Sequence, residues 1–143
     1  MNFEQAIETA KKNINARLKT DGRLSGKIAV VTGSAQGFGL GIAKEMYKEG
    51  ACIVIADLPS QEVNAGRIVK ELGERAVFVS ADVTDEESVK ALMCSAVEHF
   101  GGLDVFVSNA GILKAGDIDG MDLKTFELVT KVNYTGFFLC TKY

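Results

Sequence analysis

Four short apolar runs punctuate the chain between Lys27 and Gly111: "KIAVVT", "CIVIAD", "AVFVSAD" and "LDVFVSNAG". Each is rich in β-branched residues and too short for a buried helix. They lack the polar–apolar alternation of a strand with one wet face, so they read as strands covered on both sides. The stretches between them read as helices. The first spans Gly37 to Lys48, with Gly50 just beyond as a C-terminal stop. Pro59-Ser60 opens the second, which closes near Gly73. The third starts at Thr84-Asp85-Glu86-Glu87, a capping box in which the Thr84 hydroxyl takes first-turn amides and Glu87 reaches back. It runs to His99-Phe100 and stops at Gly101-Gly102, His99 serving the helix end. A last helix is expected from Asp122 to Tyr143.

Short apolar strands that alternate with helices make parallel pairs joined by right-handed crossovers. The predicted fold is therefore α/β: a doubly wound parallel sheet of about four strands in the order 3-2-1-4, helices on both faces. An extra N-terminal helix precedes it. Phe3, Ile7, Ala10, Ile14 and Leu18 recur at spacings of three and four and give one apolar stripe, which Asp21-Gly22 ends with a turn. Residues 1–26 are thus expected to form a helical arm and turn, and residues 27–143 the domain.

Bulk properties narrow the function classes. The chain has 143 residues and 47% hydrophobic content, enough for one core. A net charge of −3 argues against a nucleic-acid partner, which requires a basic surface. No apolar run approaches the roughly 18–20 residues that span a bilayer, so no membrane partner is expected. The charged N-terminus lacks the apolar centre of a signal peptide. Cys52, Cys94 and Cys140 are widely spaced and form no CxxC, which suggests buried thiols in a reducing compartment. No His/Cys cluster points to a metal. A soluble cytoplasmic protein is the expectation.

The first strand runs into "VVTGSAQGFGLGIA", residues 30–43. A glycine loop between a strand and the mouth of a helix is suited to phosphate, because first-turn amides are unpaired and the helix dipole is positive there. Gly33 allows the sharp turn, Gly37 lets backbone amides approach a pyrophosphate, and Gly39 lets the helix pack closely. Gly41 is expected to serve helix packing. The spacing is G-x-x-x-G-x-G, distinct from G-x-G-x-x-G. "GRLSGKI" has one residue too few for a Walker A loop and no Ser or Thr after Lys27.

Asp57 ends the second strand, eighteen residues after Gly39. A carboxylate there accepts hydrogen bonds from both hydroxyls of an adenosine ribose and repels a 2′-phosphate. Gln36 and Leu58, flanking that position, bring no compensating positive charge, which favours NAD over NADP. Taken singly, the loop also fits a flexible turn and Asp57 a plain strand-end residue. Asp82 and Asn109 fall at the C-terminal ends of parallel strands, where ligands bind in such sheets, although helix capping and turn formation are equally ordinary roles. Asn133 lies mid-helix in "KVNYTGFF", an awkward place for its side chain.

Four motifs in order make residues 27–143 resemble the N-terminal part of a short-chain dehydrogenase/reductase. Thr32-Gly33-Ser34-Ala35-Gln36-Gly37-Phe38-Gly39 matches that family's T-G-x-x-x-G-x-G loop. "SADVTD" matches its D-V segment, "SNAG" its N-A-G motif, and "VNYTG" the place of its catalytic asparagine. Ser108 departs from the more usual Asn-Asn-Ala-Gly. The resemblance implies a Rossmann-type, NAD-dependent oxidoreductase that moves hydride between nicotinamide and an alcohol or ketone, with a sugar- or polyol-like substrate as a loose indication. It implies cofactor contacts at Gly33, Ser34, Gln36, Gly37, Phe38, Gly39, Asp57, Leu58, Asp82, Val83, Asn109, Ala110 and Gly111. Asp82 and Val83 would border the adenine. Asn133 would be the catalytic asparagine, at a kink that positions a water in a proton relay.

The family's reaction also uses a serine and a Tyr-x-x-x-Lys pair downstream of the asparagine. Tyr47 is followed four residues on by Ala51, Tyr134 by Phe138, and Tyr143 closes the chain. The expectation is a cofactor-binding domain incomplete at its C-terminus and inactive alone. The alternative is a non-catalytic NAD-binding module or redox sensor. An extended-family enzyme acting on nucleotide sugars is a weaker fit, since its usual spacing is G-x-x-G-x-x-G. The exposed apolar fourth strand, and a last helix with Phe126, Val129, Val132, Phe137, Phe138 and Leu139, suggest a homo-oligomer. In the family this helix helps build a dimer interface.

Overall fold

The β-branched run Ile28–Thr32 forms β1, buried along its whole length. It sits in the middle of a four-stranded parallel sheet in the order β3-β2-β1-β4, as expected. The computed structural model describes residues 20–143 together with Glu4, Gln5, Ile7 and Glu8. After β1 come α1 (Gly37–Lys48), β2 (Cys52–Asp57), a 3₁₀ turn (Pro59–Gln61), α2 (Glu62–Leu72), β3 (Ala76–Ser80) and α3 (Glu86–Phe100). β4 (Val105–Val107) follows, then α4 (Leu123–Thr130), a π-helical segment (Lys131–Thr135) and α5 (Gly136–Lys142).

The register aligns Val30 with Val54 on one side and with Phe106 on the other, and Val54 with Val77. Successive side chains point to opposite faces, so each strand feeds two cores. Ile28, Val30 and Val54 pack with Leu92, Ala96 and Phe100 of α3. Ala29, Val31, Ile53 and Ile55 pack with Ala43 of α1 and with Ala65 and Ile68 of α2. This is why the strand sequences are apolar throughout. Leu139 and Cys140 of α5 meet Val83, Val89 and Met93 in a third cluster. All three cysteines are buried and none forms a disulfide, and burial pushes the Cys140 thiol above its ordinary value.

Two details differ from expectation. The N-cap of α3 is Asp85, whose carboxylate accepts from the Ser88 amide at 3.2 Å; Thr84 stands one residue outside the helix. Asp85 and Thr84 are both competent caps, and the carboxylate also complements the helix dipole. The last helix begins next to its expected start, with Asp122 as its N-cap, but a π segment interrupts it. Of the arm expected over residues 1–26, most lies outside the described residues. Glu4, Gln5, Ile7 and Glu8 are helical and exposed. The turn at 20–26 docks on Glu49, which holds the Arg23 guanidinium at 2.9 and 3.0 Å and takes the Leu24 amide on its carbonyl at 2.7 Å.

Candidate functional site

A cleft of about 450 Å³ opens at the C-terminal ends of the strands. β1 and β4 are tied together at its floor. The Thr32 hydroxyl donates to the Val107 carbonyl at 3.3 Å and accepts from the Asn109 and Ala110 amides at 3.1 Å each. The Asn109 side-chain amide returns to the carbonyls of Thr32 at 2.9 Å and Gly33 at 3.2 Å. Asn109 therefore fixes both strand exits where the strand order reverses, the usual ligand position in such sheets.

The glycine loop begins there. Gly33 has φ +64°, and a Cβ on it would lie 2.9 Å from the Ala110 Cα. A Cβ on Gly39 would lie 2.4 Å from the Gly33 carbonyl oxygen and 2.5 Å from Asn109 Nδ2. Only glycine at 39 lets the first turn of α1 press against the turn that leaves β1. Gly37, at φ +58°, faces open space. No side chain caps α1, and Gln36, Gly37 and Phe38 are exposed. Its first-turn amides and positive dipole end are thus presented at the cleft mouth, a ready anion seat. Gly41 is not a packing residue: a Cβ there would meet nothing within 4 Å, because α1 turns that face to solvent.

Ser34 is fully buried and points away from the cleft. Its hydroxyl donates to the Val31 carbonyl at 2.6 Å and accepts from the Ala56 amide at 3.2 Å, stitching β1 to β2. Asp57 stands at the end of β2. One carboxylate oxygen accepts from the Ala35 amide and the other from the Leu58 amide, both at 2.9 Å. Each oxygen keeps acceptor capacity for a further donor. Asp82 is held similarly: its carboxylate accepts from the Thr84 amide at 2.8 Å while its own amide donates to the Ser88 hydroxyl at 2.9 Å. Val83 is buried against α5 and also lines the cleft.

Asn133 lies in the middle of the π segment. Its side-chain amide forms a two-bond pair with the backbone of Ile112, on the loop that leaves β4. It backs the cleft wall rather than lining it, whereas Ile112 lines it.

The structure brings Gly33, Gln36, Asp57, Leu58, Asp82, Val83, Asn109, Ala110 and Gly111 together on this one cleft. Gly37, Phe38 and Gly39, in the first turn of α1, are not among its lining residues. Thr32, Gln61, Thr84, Ile112, Leu128 and Val132 also line it. Leu128 and Val132 were findable as an i, i+4 apolar pair on the last helix; Gln61 carries no sequence signal. Among the described residues the lining has two carboxylates, Asp57 and Asp82, and no Lys, Arg or His. No tyrosine lines it either. Tyr47 bonds the Leu72 carbonyl, Tyr143 bonds Glu86, and Tyr134 is 76% exposed. The residues present fit a dinucleotide: amides for phosphate, a fixed carboxylate for a diol, and an apolar slot by Val83.

Comparisons with known proteins agree with this fold. The family model for short chain dehydrogenase matches residues 27–143. An uncharacterized oxidoreductase of Thermotoga maritima is 40% identical over 121 residues, which cover 84% of this chain and 47% of the relative. The cis-4-hydroxycyclohexanecarboxylate dehydrogenase of Sinomonas cyclohexanicum is 40% identical over 118 residues, covering 82% and 47%. The crystal structure of 3-ketoacyl-(acyl-carrier-protein) reductase from Brucella melitensis, complexed with NADH, superposes with a TM-score of 0.78 at 38% identity. It covers 83% of this chain and 49% of that one. The chain thus spans about half the length of these relatives. No helix among the described residues is long and apolar enough to cross a membrane. On its glycine loop, its strand order and its match over residues 27–143, the chain belongs to the short-chain dehydrogenase family.

Proposed function

We propose that this chain is the cofactor-binding part of an NAD-dependent oxidoreductase acting on an alcohol or ketone, with a sugar, polyol or phosphorylated derivative as the substrate class to try first. The observation that carries the NAD assignment is the charge of the cleft. Asp57 stands where an adenosine ribose would lie, and no cation among the described residues lines the site to offset a 2′-phosphate. A 2′-phosphate would meet like charge at contact distance, which costs several kcal/mol in typical interfaces. Bound there, the nicotinamide supplies the hydride donor or acceptor.

The chain's own residues then divide the work. The uncapped amides at the start of α1 hold the pyrophosphate. Asp57 accepts the ribose hydroxyls, its orientation already set by the Ala35 and Leu58 amides. Asp82 and Val83 border the adenine. Asn109, Ala110 and Gly111, on the cleft floor, would contact the cofactor there. Asn133 is the asparagine of the catalytic set, and it holds Ile112 on the wall of the cleft. π segments are frequent at functional sites, which supports that placing.

A second reading is favoured by one observation: no tyrosine of these residues reaches the cleft. A general acid–base contributes about 10²–10⁴-fold, so without one the 143-residue chain alone would bind cofactor and turn over slowly. On that reading the chain is a non-catalytic NAD-binding module or redox sensor. Calorimetry with NAD and NADP tests the cofactor assignment. NAD is expected to bind at least tenfold more tightly, and equal affinity would sink the charge argument. A turnover assay on a panel of alcohols, polyols and ketones separates the two readings. Appreciable turnover by this chain alone would exclude the module.

A further inference from the structure

The peptide of Ala35 is gripped from two sides by residues far apart in sequence. Its N–H donates to the Asp57 carboxylate at 2.9 Å, and its C=O accepts from the Asn64 side-chain amide at 2.6 Å. Ala35 itself is fully buried. The residue before it, Ser34, is anchored to β2. The residue after it, Gln36, has extended backbone (φ −158°, ψ 174°) and forms the N-cap of α1. Ala35 is therefore the last fixed point before the exposed amides of Gln36, Gly37 and Phe38.

Asn64 has an unusual place. It lies in the first turn of α2, where an Asn side chain commonly bonds its own helix. It instead reaches back 29 residues to the loop. It does not line the cleft. We infer that Asn64 is a positioning residue for the phosphate loop: by holding the Ala35 carbonyl it sets the direction of the loop amides, and so the affinity for a pyrophosphate. This rests on the reading of that loop as the dinucleotide seat. Asp57 cannot separate the two contributions, because one carboxylate serves both loop and ribose. Asn64 touches only the loop side, so its effect follows the phosphates of the ligand and spares the nucleoside.

Binding of NAD, ADP-ribose and adenosine is measured on the full 143-residue chain, on Asn64→Ala and on Asn64→Asp, with thermal unfolding alongside. A hydrogen bond to a partly buried carbonyl is worth about 1 kcal/mol, which is about fivefold in affinity. Asn64→Ala is expected to weaken NAD and ADP-ribose about fivefold and adenosine less than twofold. Asn64→Asp keeps size and shape but sets a carboxylate against the carbonyl, so it is expected to bind NAD more weakly than Asn64→Ala. A space-filling role would give the reverse order. The inference is overturned if wild type binds NAD and both variants match it, or if adenosine falls in step with NAD. Wild type that takes neither NAD nor ADP-ribose overturns the dinucleotide reading itself.

Discussion

The Asn133 side-chain amide pairs with Ile112 as one β-strand residue pairs with another. Its Oδ1 accepts from the Ile112 N–H and its Nδ2 donates to the Ile112 C=O, each at 2.8 Å. The loop that leaves β4 is thereby fastened to the last helix. Asn133→Ala removes both bonds and Asn133→Asp removes only the donor. At about 0.5–1.5 kcal/mol per bond, Asn133→Ala is expected to cost about 1–3 kcal/mol. Asn133→Asp keeps the bond from the Ile112 N–H but sets a carboxylate oxygen against the Ile112 carbonyl, so it is expected to cost at least as much. Urea unfolding reads the cost. Hydrogen exchange of the Ile112 amide is expected to speed up in Asn133→Ala while amides in β1 keep their protection. Unchanged exchange at Ile112 would refute the clamp.

Two glycines of α1, two residues apart, are expected to respond to alanine with opposite signs. Gly39→Ala puts a Cβ into the Gly33 carbonyl and the Asn109 amide, where the backbone must give way. Overpacking of this kind costs about 1–3 kcal/mol. Gly41→Ala places its methyl in open solvent within the same helix, and helix propensity alone is worth about 0.5–1 kcal/mol in its favour. Thermal denaturation of the pair tests both claims. Destabilisation by Gly41→Ala would mean that this face is covered in solution.

The end of α5 and the start of α3 share a pH-sensitive contact. The Lys142 ammonium, 2.7 Å away, and the Tyr143 hydroxyl hold the Glu86 carboxyl down from 4.5 to about 2. A depressed folded-state value means stability that is present above about pH 4.5 and is lost as pH falls toward 2. The difference in Tm between wild type and Glu86→Gln is expected to be constant from pH 7 to 5 and to close below pH 4.5. The contact is exposed, so the difference is small. A gap that persists at pH 2 would point to packing rather than charge.

β4 is an edge strand in the described residues, and an apolar groove of about 590 Å³ runs beside it. Leu103, Phe106, Phe137 and Cys140 are among its lining residues. Open apolar edges pair with other chains. Sedimentation velocity of the 143-residue chain is expected to show a weight-average coefficient that rises with concentration. Phe137→Glu, which sets a charge in the groove, is expected to flatten that rise. A monodisperse monomer for wild type at every concentration would contradict the proposed self-association.

The parts legible in the sequence are those with a short period or a short range. β1 and β2 announce themselves because burial on both faces leaves an uninterrupted apolar run. The sheet order follows from strand–helix alternation and crossover handedness. The glycine loop and Asp57 were legible through spacing. Contacts between distant groups were not: Asn64 with Ala35, or Asn133 with Ile112, involve one side chain and one backbone unit, and backbone units look alike in any sequence. Ser34 matched a cofactor motif by position, yet its hydroxyl was needed between β1 and β2. Gly41 sits two residues from Gly39 without sharing its packing constraint. Thr84 and Asp85 compete for one cap, and a one-residue choice of that kind is settled by where the helix meets its neighbours.

The π segment changes the phase of the last helix. α4 has no buried residue, whereas α5 buries Gly136, Leu139 and Cys140. One surplus residue between them turns the downstream face by about 100° relative to an unbroken α-helix. Residues 131–135 are thus a length-sensitive joint. A substitution there leaves the angle intact, but the loss of a single codon would swing Leu139 and Cys140 off Val89 and Met93 without altering any of those side chains. Insertions and deletions, rather than point changes, are what this stretch cannot absorb.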